Sequence, residues 1–331
     1  KGRITTKIAD LPKIKKPTAT VGILMMRSYV LASDCRHYDT VIEALEAKGL
    51  RVLPAFAGGL DGRPAIDAYF KKEGVDLVLS LTGFSLVGGP AYNDSHAAVE
   101  ALSDLDVPYI CAQPLEFQTL QQWSQSDQGL GAIEATMLVA LPEIDGASNP
   151  IVFAGRHEEY GCKGCDRECA GSHGRAMSPC YGRIDRLADR VANMARLHAS
   201  KPKKRKVGIV LFGFPPNAGA AGTAAYLSVF ESLHNTLHRM KAEGYNVTPP
   251  ETVDDLRAAV LKGNAEQFGM DANVLTQVTT DQIVSDTPWL SEIEATWGPA
   301  PGKVQTNGKG VFILGAQFGD VAVVVQPGFG Y

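Results

Sequence analysis

The regular alternation of short apolar runs with amphipathic segments constrains this chain most. Residues 19–26 read as an apolar strand, residues 38–48 as a helix stopped by Gly49, and residues 51–56 as a second strand. A helix over residues 64–73, a strand over 75–81, a helix over 94–105 and a strand over 107–111 follow. Continuous apolar runs separated by helical periodicity predict parallel strands covered on both faces. The pattern resumes after residue 205. KVGIVLF (residues 206–212) predicts a strand, and a helix is expected from Ala224 with Thr223 as its cap. A strand near residues 245–247 and a helix over 253–262 come next, and residues 310–314 and 321–326 read as a closing hairpin.

The expected class is therefore α/β, with two doubly wound, mainly parallel-sheet domains joined by a Cys-rich loop and a basic linker. The first domain is expected over residues 1–150 and the connecting segment, which carries a helix of its own, over 151–205. The second is expected over 206–331 and reads as incomplete at its C-terminal end. With 331 residues there is enough chain for two cores of ordinary size. PKKRKV (residues 202–207) has the look of a nuclear-localisation peptide, yet Val207 opens a strand, so the lysines read as a solvated linker.

A net charge of -4 offers nothing to nucleic acid, and no apolar run approaches the ~18–20 residues of a membrane span. The expected location is cytoplasmic, or the plastid stroma in a plant.

In open α/β sheets ligands gather outside the carboxyl ends of strands. That rule selects Arg27 and Ser28 after the first strand, Thr82 to Ser85 with Phe84 after the third, and Gln113 after the fourth. It also selects the turn from Pro215 to Gly222, and Gln326 to Tyr331 at the end of the chain. Within the turn, Asn217, Gly219 and Gly222 tolerate unusual backbone angles and let a ligand approach. It lacks the lysine of a phosphate loop and the glycine spacing of a dinucleotide fingerprint.

Four of the six cysteines lie close together, Cys162, Cys165, Cys169 and Cys180. Four thiolates at this spacing can complete a metal site, and the spacing leaves an iron–sulfur cluster, zinc, or free or disulfide-bonded cysteines open. Cys35 and Cys111 read as buried single thiols. His234 and His238 stand one turn apart on an expected helix, but no third ligand is apparent and the face is polar, so they read as solvent-exposed.

FPPNAGAAGTAAYLSVFESLHNTL (residues 214–237) resembles the signature of the porphyrin-binding H subunits of magnesium chelatases, relatives of the large subunit of cobaltochelatase. Met26-Arg27-Ser28-Tyr29 with His37-Tyr38, PAFAGGLD (residues 54–61), GFSLVGGP (residues 83–90), Pro114-Leu115-Glu116-Phe117 and Glu134-Ala135-Thr136-Met137 extend the likeness. WGPAPG (residues 297–302) and QPGFGY (residues 326–331) complete it in the family's order. Family members are several times longer, so the chain reads as an internal piece.

The resemblance implies a protein that holds protoporphyrin IX while AAA+ ATPase subunits, the I and D type, drive Mg²⁺ insertion for chlorophyll or bacteriochlorophyll synthesis. A tetrapyrrole needs an apolar slot and cations for its propionates, which makes Arg27 and Arg36 candidate carboxylate binders. Ser28, Phe84, Ser85, Gln113, Asn217, Gly219, Gly222, Thr223, Gln326 and Tyr331 are the implied porphyrin contacts. No catalytic group is assigned within the chain. The groups that handle the metal and the pyrrole protons are expected beyond Tyr331, and the piece by itself is expected to be inactive. The four cysteines are then structural or redox-sensing. No Walker A string occurs, consistent with ATP being used by the partners. Competing expectations are a cobaltochelatase subunit acting on a corrinoid precursor, a nucleotide-sugar transferase with its Gly-rich turns on a diphosphate, and a non-catalytic iron–sulfur module.

Overall fold

A computed structural model describes residues 4–89, 92–158, 176–212, 223–224 and 227–326. The chain divides into two compact units, Lys1–Ala199 and Ser200–Tyr331.

The first unit is built on a parallel sheet of β1 (Thr20–Leu24), β2 (Arg51–Ala55), β3 (Leu77–Ser80), β4 (Tyr109–Thr119) and β5 (Ser148–Arg156). Their order across the sheet is β2-β1-β3-β4-β5, and Ser178–Pro179 adds a short antiparallel edge beside β5. Every residue of β3 is buried, as expected of a strand covered on both faces.

Helices α1 (Arg27–Leu31) and α2 (Arg36–Ala47) link β1 to β2, and α3 (residues 63–73, with a π turn at Ile66–Phe70) links β2 to β3. Next come α4 (Ser95–Leu105), α5 (Leu120–Gln125), α6 (residues 132–144, with a π turn at Ala135–Ala140) and α7 (Tyr181–Ala199). One face of the sheet packs Val21 and Ile23 against Tyr38, Val41 and Leu45 of α2 and Leu187 and Val191 of α7. The other packs Leu24, Leu53 and Val78 against Ile66 and Phe70 of α3 and Ala98 and Leu102 of α4. The ring of Phe70 lies directly on β1, so a Cβ added at Gly22 would stand 2.8 Å from it. A glycine in this strand is the condition for helix α3 to approach.

Most strand and helix positions agree with the expectation to within a few residues. Two elements lie deeper in the fold than expected. β5 and α7, assigned from sequence to a connecting segment, are the fifth strand and a core helix of the first unit.

The second unit pairs β6 (Val207–Leu211), β7 (Val274–Thr279), β8 (Gly310–Phe318) and β9 (Val321–Val325) in the order β7-β8-β9-β6. Its class is α/β, but the pairing is mixed, since only β9 with β6 is parallel. The hairpin between β8 and β9 forces antiparallel pairing, because Gly319 and Asp320 turn the chain straight back on itself. Burial alternates along β9, so one face is covered and the other is partly open. Helices α8 (Val229–Ala242) and α9 (Val253–Leu261) cover the closed face through Phe230, Leu233, Leu237, Leu256 and Val260. A Thr252–Asp255 capping box starts α9, as its sequence dictates.

Two local expectations fail. α8 begins at Val229 and not at Ala224, because Thr223–Ala224 pairs antiparallel with Leu227–Ser228; Thr223 therefore does not cap the helix. Residues 245–247 form no strand. The Asn246 carbonyl instead accepts from Asp320 N and its side chain donates to Asp320, bracing the hairpin turn. Among the described residues no helix is long and apolar enough to cross a membrane.

His37 of α2 is fully buried among Tyr29, Tyr38 and Phe153, and neither ring nitrogen has a hydrogen-bond partner. Burial pulls its pKa down to about 4, against a weaker opposing pull from Asp34. An unfolded histidine titrates near 6.5, so between those values the unfolded chain binds a proton that the folded chain refuses. This contribution to stability is complete above the unfolded value, falls with acidification and levels off near the folded one, a loss of about 3 kcal/mol. Urea denaturation measured between pH 7 and pH 4 is expected to show wild type losing stability relative to His37→Phe as the pH falls, by up to about 3 kcal/mol. Parallel profiles would refute this account of the histidine.

Candidate functional site

In the order β2-β1-β3 the connection after β1 leaves toward the α2 face and the connection after β3 toward the α4 face. The carboxyl ends of β1 and β3 therefore flank a crevice where loops diverge, the position at which doubly wound sheets take ligands. A cavity of ≈ 260 Å³ lies there.

Three segments wall it. Leu24, Met25 and Met26 come from the end of β1, followed by Arg27, Ser28 and Leu31 of α1. Ala57 to Leu60 and Gly62 come from the loop after β2, and Ser80 at the end of β3 is followed by Thr82, Phe84, Ser85, Leu86 and Gly88 from the loop after it. The walls are mostly apolar, made by aliphatic, methionine and phenylalanine side chains together with glycine, and the polar groups sit at specific points.

Main-chain hydrogen bonds lace the two glycine-containing loops together. Gly62 N donates to Leu86 O at 2.8 Å, and Gly88 N donates to Leu60 O at 2.8 Å. Gly88 has φ of +120° and its missing Cβ would fall 2.1 Å from Tyr92 O, so only glycine fits this crossing. Arg63 grips Asp61 with two nitrogens and holds its carboxyl below the usual carboxylate range.

Beneath the loop after β3 lies Asp145, 1% exposed. Its Oδ2 accepts from Ser85 Oγ at 2.6 Å and from Leu86 N at 2.8 Å, while Oδ1 has no partner. Burial raises its pKa, and the two hydrogen bonds pull the other way. On the opposite flank Tyr29 Oη donates to Glu116 Oε1, and Arg156 Nη2 donates to Glu116 Oε2 at 3.2 Å. Burial first, then Glu116, raises the Tyr29 pKa. These contacts tie α1, which carries Arg27 and Ser28, to the ends of β4 and β5.

Of the sequence-selected residues, the structure brings Arg27, Ser28, Thr82, Phe84 and Ser85 together in this one cavity. Arg27 is exposed at the rim, where Nη1 donates to Gly58 O at a long 3.5 Å, and it forms no ion pair among the described residues. The hydroxyl of Ser85 is held by Asp145 and turned toward the protein.

Gln113 is 2% exposed and donates to Cys111 O at 2.7 Å and Leu138 O at 3.1 Å, so it braces the π turn of α6. Arg36 is not among the lining residues; it donates to Tyr181 Oη at 3.0 Å at the start of α7. Gln326 lies in the second unit, half-buried, with its main chain bonded to Leu211. Thr223 is described through its main-chain pairing alone. Asn217, Gly219, Gly222 and Tyr331 lie outside the described residues, as do Cys162, Cys165 and Cys169. Cys180 is buried beside Leu115, Leu120 and Val152. Among the described residues no three His, Cys, Asp or Glu side chains come together as a metal site.

Sequence reasoning missed Asp145 because Asp-Gly at residues 145–146 reads as a plain turn. Nothing local signals its reach to Ser85, sixty positions away in the chain.

A family model described as CobN/Magnesium Chelatase matches residues 4–331. The chain belongs to this family. The magnesium-chelatase H subunit of Cereibacter sphaeroides is 62% identical over 336 residues, covering 99% of this chain and 28% of that protein. The chloroplastic magnesium-chelatase ChlH subunit of Oryza sativa subsp. indica is 41% identical over 96% of this chain and 23% of its own length. The chain thus spans about a quarter of the length of these relatives. Among solved structures, the catalytic subunit of cobaltochelatase from Mycobacterium tuberculosis superimposes with a TM-score of 0.70 at 22% identity, covering 96% of this chain and 27% of that one. That likeness speaks to the CobN/magnesium chelatase fold.

Replacing Asp145 by Ala leaves the buried Leu86 N–H without an acceptor, at a cost of about 2 kcal/mol. Asp145→Asn keeps an acceptor oxygen, so a smaller loss is expected. Urea denaturation measures both, and an Ala variant within about 0.5 kcal/mol of wild type would contradict the clamp.

Proposed function

We propose that this chain supplies one wall of the tetrapyrrole site of a magnesium chelatase H subunit, which binds protoporphyrin IX for Mg²⁺ insertion in chlorophyll or bacteriochlorophyll synthesis. The observation that carries this reading is the cavity between the ends of β1 and β3, apolar in its walls, with Arg27 at its rim paired to no carboxylate among the described residues. The segments that line it include those whose sequence resembles the family.

At ≈ 260 Å³ the cavity lies below the roughly 300–1,000 Å³ of pockets that enclose a drug-sized ligand. It suits an edge of a macrocycle, with a propionate at Arg27 in a charge-assisted hydrogen bond. In this reading Leu24, Met26, Phe84 and Leu86 exclude water from the ring edge, while Asp145 and Glu116 hold the two loops that present those side chains. Hydrated Mg²⁺ gives up its waters reluctantly, and two pyrrole protons must leave. Groups beyond this chain, with I and D type ATPase subunits supplying the free energy, complete that chemistry. The same reading places the four-cysteine set outside the insertion step, as a structural or redox-sensing iron–sulfur or zinc site, and the protein in the cytoplasm or, in a plant, the plastid stroma.

Titrating the chain with protoporphyrin IX and following porphyrin fluorescence tests the assignment. Arg27→Ala is expected to weaken binding about tenfold, the loss of one charge-assisted contact at a partly solvated rim, and Arg27→Lys to recover part of it. An affinity unchanged in Arg27→Ala would remove the propionate assignment. Absence of porphyrin binding together with saturable binding of a nucleoside diphosphate would favour the transferase reading instead.

A further inference from the structure

Helix α8 carries His234 and His238 beside its buried stripe of Phe230, Leu233 and Leu237. Their Nε2 atoms are 3.2 Å apart. Both also point at one main-chain oxygen, Pro250 O, which lies 3.0 Å from His234 Nε2 and 3.4 Å from His238 Nε2. Three donor atoms therefore form a nearly equilateral triangle.

Protons cannot satisfy all three edges. A neutral imidazole nitrogen carries either a hydrogen or a lone pair. With hydrogens on both nitrogens, two N–H groups face each other; with one, the other nitrogen turns a lone pair toward the carbonyl oxygen. A cation at the centre accepts all three lone pairs at once. Tetrahedral zinc, with bonds of about 2.1 Å to nitrogen and oxygen, has ligand-to-ligand edges of about 3.4 Å, close to the observed triangle.

The donors are also held in place before any ion arrives. Leu233 and Leu237 anchor α8 in the core, and the segment bearing Pro250 runs straight into the Thr252–Asp255 capping box of α9. His234 is half-buried and His238 exposed, which leaves the open side to water as a fourth ligand.

We propose that His234, His238 and the Pro250 carbonyl form a binding site for a borderline divalent transition ion of the Zn²⁺, Co²⁺ or Ni²⁺ class. Imidazole nitrogen suits these ions, whereas Mg²⁺ demands oxygen ligands in octahedral array. All three donors belong to the second unit, whose sequence contains no cysteine. It joins α8 to the segment leading into α9, so an ion bound there stabilises the second unit by linkage.

The test uses the full chain and Zn²⁺ itself, with uptake counted by competition against a chromophoric chelator. Wild type is expected to bind one more zinc ion than His238→Ala or the His234→Ala/His238→Ala double variant, and Cys162→Ser is expected to keep that ion. Any residual binding at this site in the single variant should be at least about tenfold weaker. Mg²⁺ in large excess should not displace the ion. Co²⁺ bound to Cys162→Ser at this site should show ligand-field bands without the thiolate charge-transfer band. His238→Gln, which retains hydrogen bonding, serves as the second variant and is expected to lose the ion as well. Equal zinc stoichiometry and affinity in wild type and His238→Gln would overturn the proposal, as would saturation only above about 1 mM zinc.

Discussion

The parallel pairing of β1 with both β2 and β3 is the interaction on which the first unit depends. A strand buried on both faces cannot be joined to its parallel neighbours by a hairpin; each connection must climb over a face of the sheet as a helix. Because β1 sends its connection to one face and β3 sends its connection to the other, the two connections diverge from the gap between their carboxyl ends. The crevice follows from that topology, and Leu24, Met26, Phe84 and Leu86 make its walls apolar.

Loops over such a crevice would be poorly fixed if they were held by apolar contacts alone. Buried and half-buried polar groups hold them here. Asp145 takes Ser85 and Leu86, Glu116 takes Tyr29 and Arg156, and Gln113 spans Cys111 and Leu138. Each such group is costly to bury without partners, which makes the paired arrangement directional and hard to exchange for another. Residues that look like ligand contacts by position thus serve as supports for the residues that do face the cavity.

The second unit follows a different physical rule. Its hairpin admits antiparallel pairing, its sheet has one closed face, and its helices pack from that side. The helical segments of α8 and α9 were readable along the chain. The alternating burial of β9 was less visible, because Val321 to Val325 is apolar at every position and resembles a doubly covered strand. The helix start at Val229 was also hidden, since the choice between helix and a short antiparallel pair at residues 223–228 depends on how the chain arrives there.

From the sequence alone came the alternating elements of the first unit, the strand ends at which ligands gather, and the family, through motif strings that local chemistry keeps in order. The grouping of Arg27, Ser28, Thr82, Phe84 and Ser85 was legible because all of them follow strands that the periodicity located. Tertiary structure alone decided that Gln113 turns inward, that Arg36 leaves the cavity for Tyr181, that Asp145 clamps a loop far away in the chain, and that Pro250 meets two histidines. The reason is physical: periodicity and capping report interactions within a few residues, whereas the partner of a buried carboxylate or a carbonyl is set by packing between segments distant in sequence.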